Sequence, residues 1–232
     1  MPVGGGCVPN RRRSPVPADH PLAQVLAAVD AQSCPTRLNF HCHTQCSDGS
    51  LEPHALADQA MAMGLEHFAV TDHHSIAAYQ PARAHLEEHQ RLGQRVPQLW
   101  SGVEISCLLE GCLVHVLALG FELDHPALAP YVRGHAVVGP GLRAGKVREA
   151  IHAAGGLALL AHPARYRRPH QQLIAAAAQL GFDGAEAFYD YDMSYRWQPT
   201  PLVCDTIASQ LQGLGLLRSC GTDTHGLALS GR

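Results

Sequence analysis

The chain has 232 residues, enough to bury a substantial core within one domain. Apolar residues make up 46% and charged residues only 16%, which excludes a disordered polypeptide, and a net charge of −3 argues against a large nucleic-acid face. No apolar run approaches the ~20 residues of a membrane helix, so no membrane partner is expected.

Residues 1–21 are rich in Gly, Pro and Arg and lack the apolar segment of a signal peptide. They are read as a flexible tail, with residues 22–232 as a single domain. Eight cysteines without a Cys-x-x-Cys pair suggest free thiols in a reducing compartment, and a cytoplasmic location is expected.

Elements then follow in a regular order. A short amphipathic helix is expected over 22–31 and a strand over RLNFH, 37–41. A Ser-Asp-Gly turn leads to Ser50, a candidate N-cap, and a helix beginning at Pro53 and closing on Gly64. HFAVT (67–71) is a strand, and 76–93 is largely helix, starting late because of Pro81. PQLWSGVEI (97–105) reads as one strand, and 107–121 as a hairpin turning at Glu110-Gly111. Residues 124–141 are Pro/Gly-rich and irregular. Helices over 142–156, 170–181 and 201–215 then alternate with strands over 157–161, 182–188 and 216–221. About seven strands alternating with helices predict an α/β fold, either a barrel or a doubly wound sheet.

Polar residues gather at the ends of these strands. In NFHCHT, His41 and His43 share one face, because strand side chains alternate. Asp48 follows in the turn. Asp72, His73 and His74 follow the second strand, Glu104 ends the third, His115 lies in the hairpin's return strand, His162 follows LALLA, and Asp223 and His225 follow the last. The C-terminal ends of strands are where α/β folds build active sites. Taken singly, each is an ordinary strand-end or turn residue. Together, imidazoles and carboxylates at six strand ends suit zinc, iron or manganese, because burying so many ionisable groups without a cation is costly. Asp72 is expected to orient its neighbours. His20, His54, His67, His85, His89, His125, His135, His152 and His170 show no such convergence and are read as surface residues.

The motifs FHCHT with SDGS, AVTDHHS, GVEIS, VHVLALG, LAHPARY and CGTDTHG span about four-fifths of the chain. In this order they resemble the PHP family, the polymerase-and-histidinol-phosphatase metallophosphoesterases. The resemblance implies a distorted seven-stranded (β/α)7 TIM-like barrel holding up to three divalent ions: Mn, Fe or Zn. It assigns His41, His43, Glu104 and Asp223 to a first metal. Glu104 would bridge to a second, with His115 and His162. Asp48, His73 and His225 would hold a third. Asp48, where some members carry His, points to the nucleotide-phosphatase-like branch. That branch commonly has a helical cap, for which the stretch between Glu104 and His162 leaves no room, so an open pocket is expected. Little chain remains after His225 for a C-terminal substrate loop.

The implied activity is hydrolysis of a small, nucleotide-like phosphomonoester by a metal-bridging hydroxide at a trinuclear site. Glu104, Arg165 and His74 are the expected catalytic residues: Glu104 as the bridging carboxylate, Arg165 as a phosphate clamp, and His74 as a proton donor, a substrate contact or a support for His73. The aromatic residues of FYDYDM (188–193) follow a strand and are candidates to line the rim, with ordinary loop packing the favoured reading. Two alternatives stand beside this. One is an accessory, non-catalytic metal module. The other is a 3'-5' exonuclease-type phosphodiesterase, for which the only basic runs are RRR at 11–13 and RYRR at 165–168. A nucleic-acid partner is therefore the less favoured reading.

Overall fold

The computed structural model describes residues 20–231 except residue 195. Most of the expected tail, with Cys7 and the first basic run, lies outside the described residues. Pro21 opens the first helix, α1 (Pro21–Ala27), and His20 is its N-cap. His20 Nδ1 accepts the Leu22 N–H, and Nε2 donates to the Gly120 carbonyl at 3.0 Å. This histidine, read as a surface residue, caps α1 and pins it to the sheet.

Eight strands form two sheets. β1 (Leu38–Asn39), β2 (His67–Ala69) and β3 (Gln98–Trp100) are parallel, in that order. β4 (Gly102–Leu109), β5 (Cys112–Leu119), β6 (Leu157–Leu160), β7 (Gly184–Phe188) and β8 (Leu217–Cys220) make the second sheet in sequence order. β5 runs antiparallel to both neighbours, whereas β6, β7 and β8 are parallel. The hairpin turns at Glu110 and Gly111, both with positive φ (51° and 72°), as the sequence predicts.

The run 97–105, expected as one strand, divides at Ser101. Its first part pairs with β2 and its second with β5. At the division Gly102 lies against the Val70 carbonyl, so closely that a Cβ would come within 2.5 Å of it. The chain leaves one sheet and enters the other there.

Five further helices complete the alternation: α2 (Pro53–Ala62), α3 (Tyr79–Arg91), α4 (Ala144–Ala153), α5 (His170–Leu180) and α6 (Pro201–Gly213). The N-cap of α2 is Glu52, not Ser50. Pro53 presets the first helical turn, which puts the cap immediately before it, while the Ser50 N–H donates to the His225 carbonyl. Between β5 and α4 the chain forms only two 3-10 turns, Ala129–Tyr131 and Gly139–Leu142, and no helical cap.

Two apolar clusters hold these layers. The larger fills the space between the five-stranded sheet and α1, α4, α5 and α6. The smaller packs Leu56, Ala60, Phe68, Leu86 and Leu99 between the three-stranded sheet and α2 and α3. Every residue of β6 and β7 is buried, as for parallel strands covered on both faces.

The sheets meet at two joints. At one, the Phe40 N–H donates to Cys220 O, Asp223 N–H to His41 O and His43 N–H to Thr224 O. At the other, Glu104 N–H donates to Asp72 O and His74 N–H to Glu104 O. Isolated bridges mark both joints, Cys42 with Thr224 and His73 with Glu104. Among the described residues no continuous ladder closes the sheets into a barrel. The expected α/β alternation holds, but the expected seven-stranded barrel is here eight strands in two bridged sheets.

At the first joint Gly221 packs directly on His41, whose Cβ would collide with any Cβ placed on residue 221. Gly221→Ala is expected to cost about 1–3 kcal/mol through overpacking, read as a lower urea midpoint. An unchanged midpoint would contradict this close approach.

Candidate metal centre

The two joints bring the strand ends, and their polar side chains, to one place. His41 Nε2 lies 3.1 Å from Glu104 Oε2 and 3.2 Å from Asp223 Oδ1. His43 Nε2 lies 3.2 Å from the same two oxygens. These separations are close to the ~3.3 Å edge of a tetrahedron with metal–ligand bonds of ~2.0 Å. All four residues are buried. Neither His43 nitrogen makes a hydrogen bond. A buried imidazole that faces carboxylates without a well-aligned hydrogen bond is poorly satisfied, and a cation between these four donors would satisfy it. The residues fit a metal ion.

Glu104 divides its oxygens. Oε2 faces His41 and His43 and, at 3.4 Å, His73 Nδ1. Oε1 faces His115 Nδ1 at 2.9 Å and His162 Nε2 at 3.2 Å. Donor atoms of His73, Glu104 and His115 lie within 4.8 Å of one another, as do those of His43, Asp48, His73 and His225. His162 reaches Glu104 Oε1 from outside the first of these groups. The Asp48 carboxylate lies 3.3 Å from His225 Nε2 and 3.7 Å from His73 Nε2. Its side chain is 55% exposed, so this end of the cluster is the open one.

Surrounding groups fix the imidazoles. His41 Nδ1 donates to the Glu186 carboxylate at 3.1 Å, and the His162 backbone N–H donates to Glu186 at 2.8 Å. His225 Nδ1 donates to the Asp223 carbonyl, turning Nε2 toward Asp48. Such second partners select the tautomer that presents a lone pair. Asp72 accepts from the Thr44 N–H, the Thr44 hydroxyl and the Ser47 hydroxyl at 2.6–2.7 Å, bracing the loop between His43 and Asp48. Asp223 turns its other oxygen to the rim, where Tyr189 Oη donates to it at 2.6 Å and Arg165 Nη1 at 2.9 Å. Arg165 is half exposed.

His74 does not present a nitrogen to this cluster. Nδ1 donates to the Tyr131 carbonyl and Nε2 accepts the Ser106 N–H. It is buried, with both nitrogens engaged by backbone, so the expected proton-donor or substrate-contact role does not fit its geometry. Sequence reasoning also missed Glu186 and Tyr189's hydroxyl. A single carboxylate inside the apolar run GAEAF was the available signal, because a buried charge requires partners.

The charges are strongly coupled. Burial alone would depress the His41 imidazole, but Glu104, Glu186 and Asp223 together hold it well above its usual range. Burial likewise opposes the charged form of His43, yet Asp223 and Glu104 raise it to about 9. Burial would raise the Glu104 carboxyl, and His41, His115 and His162 instead hold it well below the ordinary range. Burial dominates at His73, lowered to about 4, and at His162, also lowered. Both shifts favour the neutral form of the ring, the form that offers a lone pair.

The PHP domain family model matches residues 39–184. The chain belongs to the PHP family. Among curated proteins, this PHP chain is 31% identical over 184 residues to a 5'-3' exoribonuclease of Haemophilus influenzae, covering 74% of the chain and 64% of that protein. It is 38% identical over 94 residues to the 5'-3' exoribonuclease Rnm of Escherichia coli, covering 40% of the chain and 31% of that protein. A 3',5'-nucleoside bisphosphate phosphatase of Chromobacterium violaceum matches at 33% over 92 residues, 40% of the chain and 30% of the relative. The chain thus spans about a third to two thirds of the length of these relatives. A solved metal-dependent phosphoesterase of Bifidobacterium adolescentis superposes with a TM-score of 0.66 at 21% identity, covering 85% of this chain and 90% of that one. At that identity the likeness is one of fold. The names of these relatives are those of enzymes that cleave phosphate esters, and the bifidobacterial protein is called metal-dependent.

Glu186→Gln keeps the size of the side chain but weakens its hold on His41. It is expected to lower zinc affinity roughly 10–100-fold, measured by competition with a chromophoric chelator; unchanged affinity would contradict the orienting role. The proton on His43 must leave before a cation takes its place. Metal loading should therefore strengthen as pH rises from 6 toward 9, and a flat profile in equilibrium dialysis would count against the His43 assignment.

Proposed function

We propose that this PHP domain hydrolyses a small, nucleotide-like phosphomonoester with up to three divalent ions, Mn, Fe or Zn. The observation that carries the reading is the division of Glu104 between two donor groups. On this reading His41, His43, Glu104 and Asp223 hold one ion. Glu104, His115 and His162 hold a second, with His73 adjacent. Asp48, His73 and His225 hold a third. Ions there would lower the pKa of water to as little as ~7 and offset the negative charge that makes a phosphate resist attack. The two bridged sheets are taken as an opened form of the family's distorted barrel, and residues 22–232 as one domain.

The chain's own groups supply orientation. The open end at Asp48 is the side from which a phosphate would approach. Arg165, tied to Asp223 through Nη1, pairs with a phosphate oxygen at the rim. Tyr189 holds Asp223 and Arg165 together, so its loss would loosen both. Glu186 and Asp72 keep His41 and the His43–Asp48 loop in place.

A second reading, a 5'-3' exonuclease acting on RNA, is favoured by the names of the relatives and by one feature of the surface. A cleft of about 450 Å³ beside the site is lined by Arg165, Arg167, Arg168 and the tip of the hairpin, and offers charge to more than one phosphate. The relatives' names give this reading 5'-3' polarity, not the 3'-5' polarity expected from sequence. The accessory-module alternative keeps the ions but has no turnover.

The test is a phosphate-release screen of the chain reconstituted with Mn, Fe or Zn. The panel comprises nucleoside monophosphates, nucleoside 3',5'-bisphosphates, histidinol phosphate and 5'-phosphorylated oligoribonucleotides. Release from a nucleotide is expected. Shortening of the oligoribonucleotide from its 5' end would favour the second reading, and no turnover with any metal would leave the accessory module. Glu104→Ala should lose metal and turnover together; a variant keeping both would overturn the role of Glu104.

A further inference from the structure

A second convergence of metal-binding side chains lies on the outer face of the α2–α3 pair. His54 and Asp58 are one turn apart on α2, and His85 and His89 are one turn apart on α3, so each pair shares a helix face. Both α3 imidazoles aim Nε2 at Asp58 Oδ1, His85 at 2.7 Å and His89 at 3.7 Å. Their ring centroids are 4.5 Å apart, and the His54 ring lies 6.0 Å from that of His85. All three donor atoms fall within 4.8 Å of one another.

We infer that Asp58, His85 and His89 form a separate surface site for a borderline divalent cation such as Zn2+, with solvent completing the coordination; His54, on α2, pairs its Nε2 with Glu52 at 3.3 Å. The two Nε2–oxygen separations bracket the ~3.3 Å edge of a tetrahedral zinc site. Two imidazoles and one carboxylate favour zinc, nickel or copper over the hard ions calcium and magnesium.

Gln94 separates this reading from a simple surface ion pair. His89 Nδ1 donates to Gln94 Oε1 at 2.5 Å, which leaves Nε2 as the lone-pair nitrogen facing Asp58. The Gln94 backbone N–H in turn bonds the His89 carbonyl just past the end of α3, holding the amide in place. A His85–Asp58 ion pair would need neither His89 nor Gln94. The cation replaces the proton that His85 shares with Asp58 and releases it to solvent. Occupancy ties α2 to α3 over the smaller apolar cluster, so it stabilises that half of the chain without touching the centre around Glu104.

The experiment uses the full chain without a polyhistidine tag and Zn2+ as the probe, with bound zinc counted by equilibrium dialysis. Wild type is expected to bind one zinc equivalent more than His85→Gln/His89→Gln. Asp58→Asn should lose the same equivalent, and Gln94→Ala should weaken it about 10-fold or more. Glu104→Ala, which disturbs only the centre, should retain it. Far-UV circular dichroism checks that the variants remain folded. Equal zinc content in wild type and the double variant overturns the inference. So does retention of full affinity by Gln94→Ala. Because zinc is counted directly, the result stands whatever the substrate screen finds.

Discussion

A carboxylate taken wholly out of water needs donors or cations around it, and Glu104 is fully buried at the place where the two sheets meet. Its two oxygens face four imidazoles within 3.2 Å and a fifth at 3.4 Å. Asp223 and Glu186 add two more buried carboxylates to the same pocket. With protons alone the cluster must be held by imidazolium charge, which is why His41 and His43 rise while Glu104 falls. Divalent ions would meet the same demand more completely, since each brings two charges and directs several lone pairs at once.

The fold is arranged around this requirement. The joints between the sheets fall at strand ends, and each joint carries part of the cluster: His41, His43 and Asp223 at one, His73 and Glu104 at the other. Backbone strain gathers there too. His74, His162 and Asp223 have positive φ, which costs non-glycine residues free energy and persists where packing over-determines it. At His162 the neighbouring Glu186 carboxylate takes up the backbone N–H, and at Asp223 the N–H is given to His41 O. Of these three, His162 and Asp223 aim their side chains into the cluster, and His74 turns its ring to the Tyr131 carbonyl.

Much of this was legible in the sequence because strand alternation and strand-end position are local signals. The H-x-H of His41 and His43 and the Asp-His and Thr-Asp turns after apolar runs needed no tertiary information. What stayed hidden depends on partners distant in sequence. Glu186 looks like one polar residue in an apolar strand until His41 is placed beside it. His73 and His74 are neighbours of like chemistry, and only the fold turns one to the cluster and the other to the Tyr131 carbonyl. The division of residues 97–105 at Ser101 rests on a contact between Gly102 and Val70 that no periodicity encodes. His54, His85 and His89 read as scattered surface residues because α2 and α3 are brought together only by packing of their apolar faces.

The central claim is that the pocket around Glu104 is a metal centre. Anomalous diffraction at the zinc edge from zinc-loaded crystals tests it most directly. A peak ~2.1 Å from His41 Nε2, His43 Nε2 and the nearest oxygens of Glu104 and Asp223 is predicted. Absence of any peak between these four side chains in crystals that hold zinc elsewhere would contradict it.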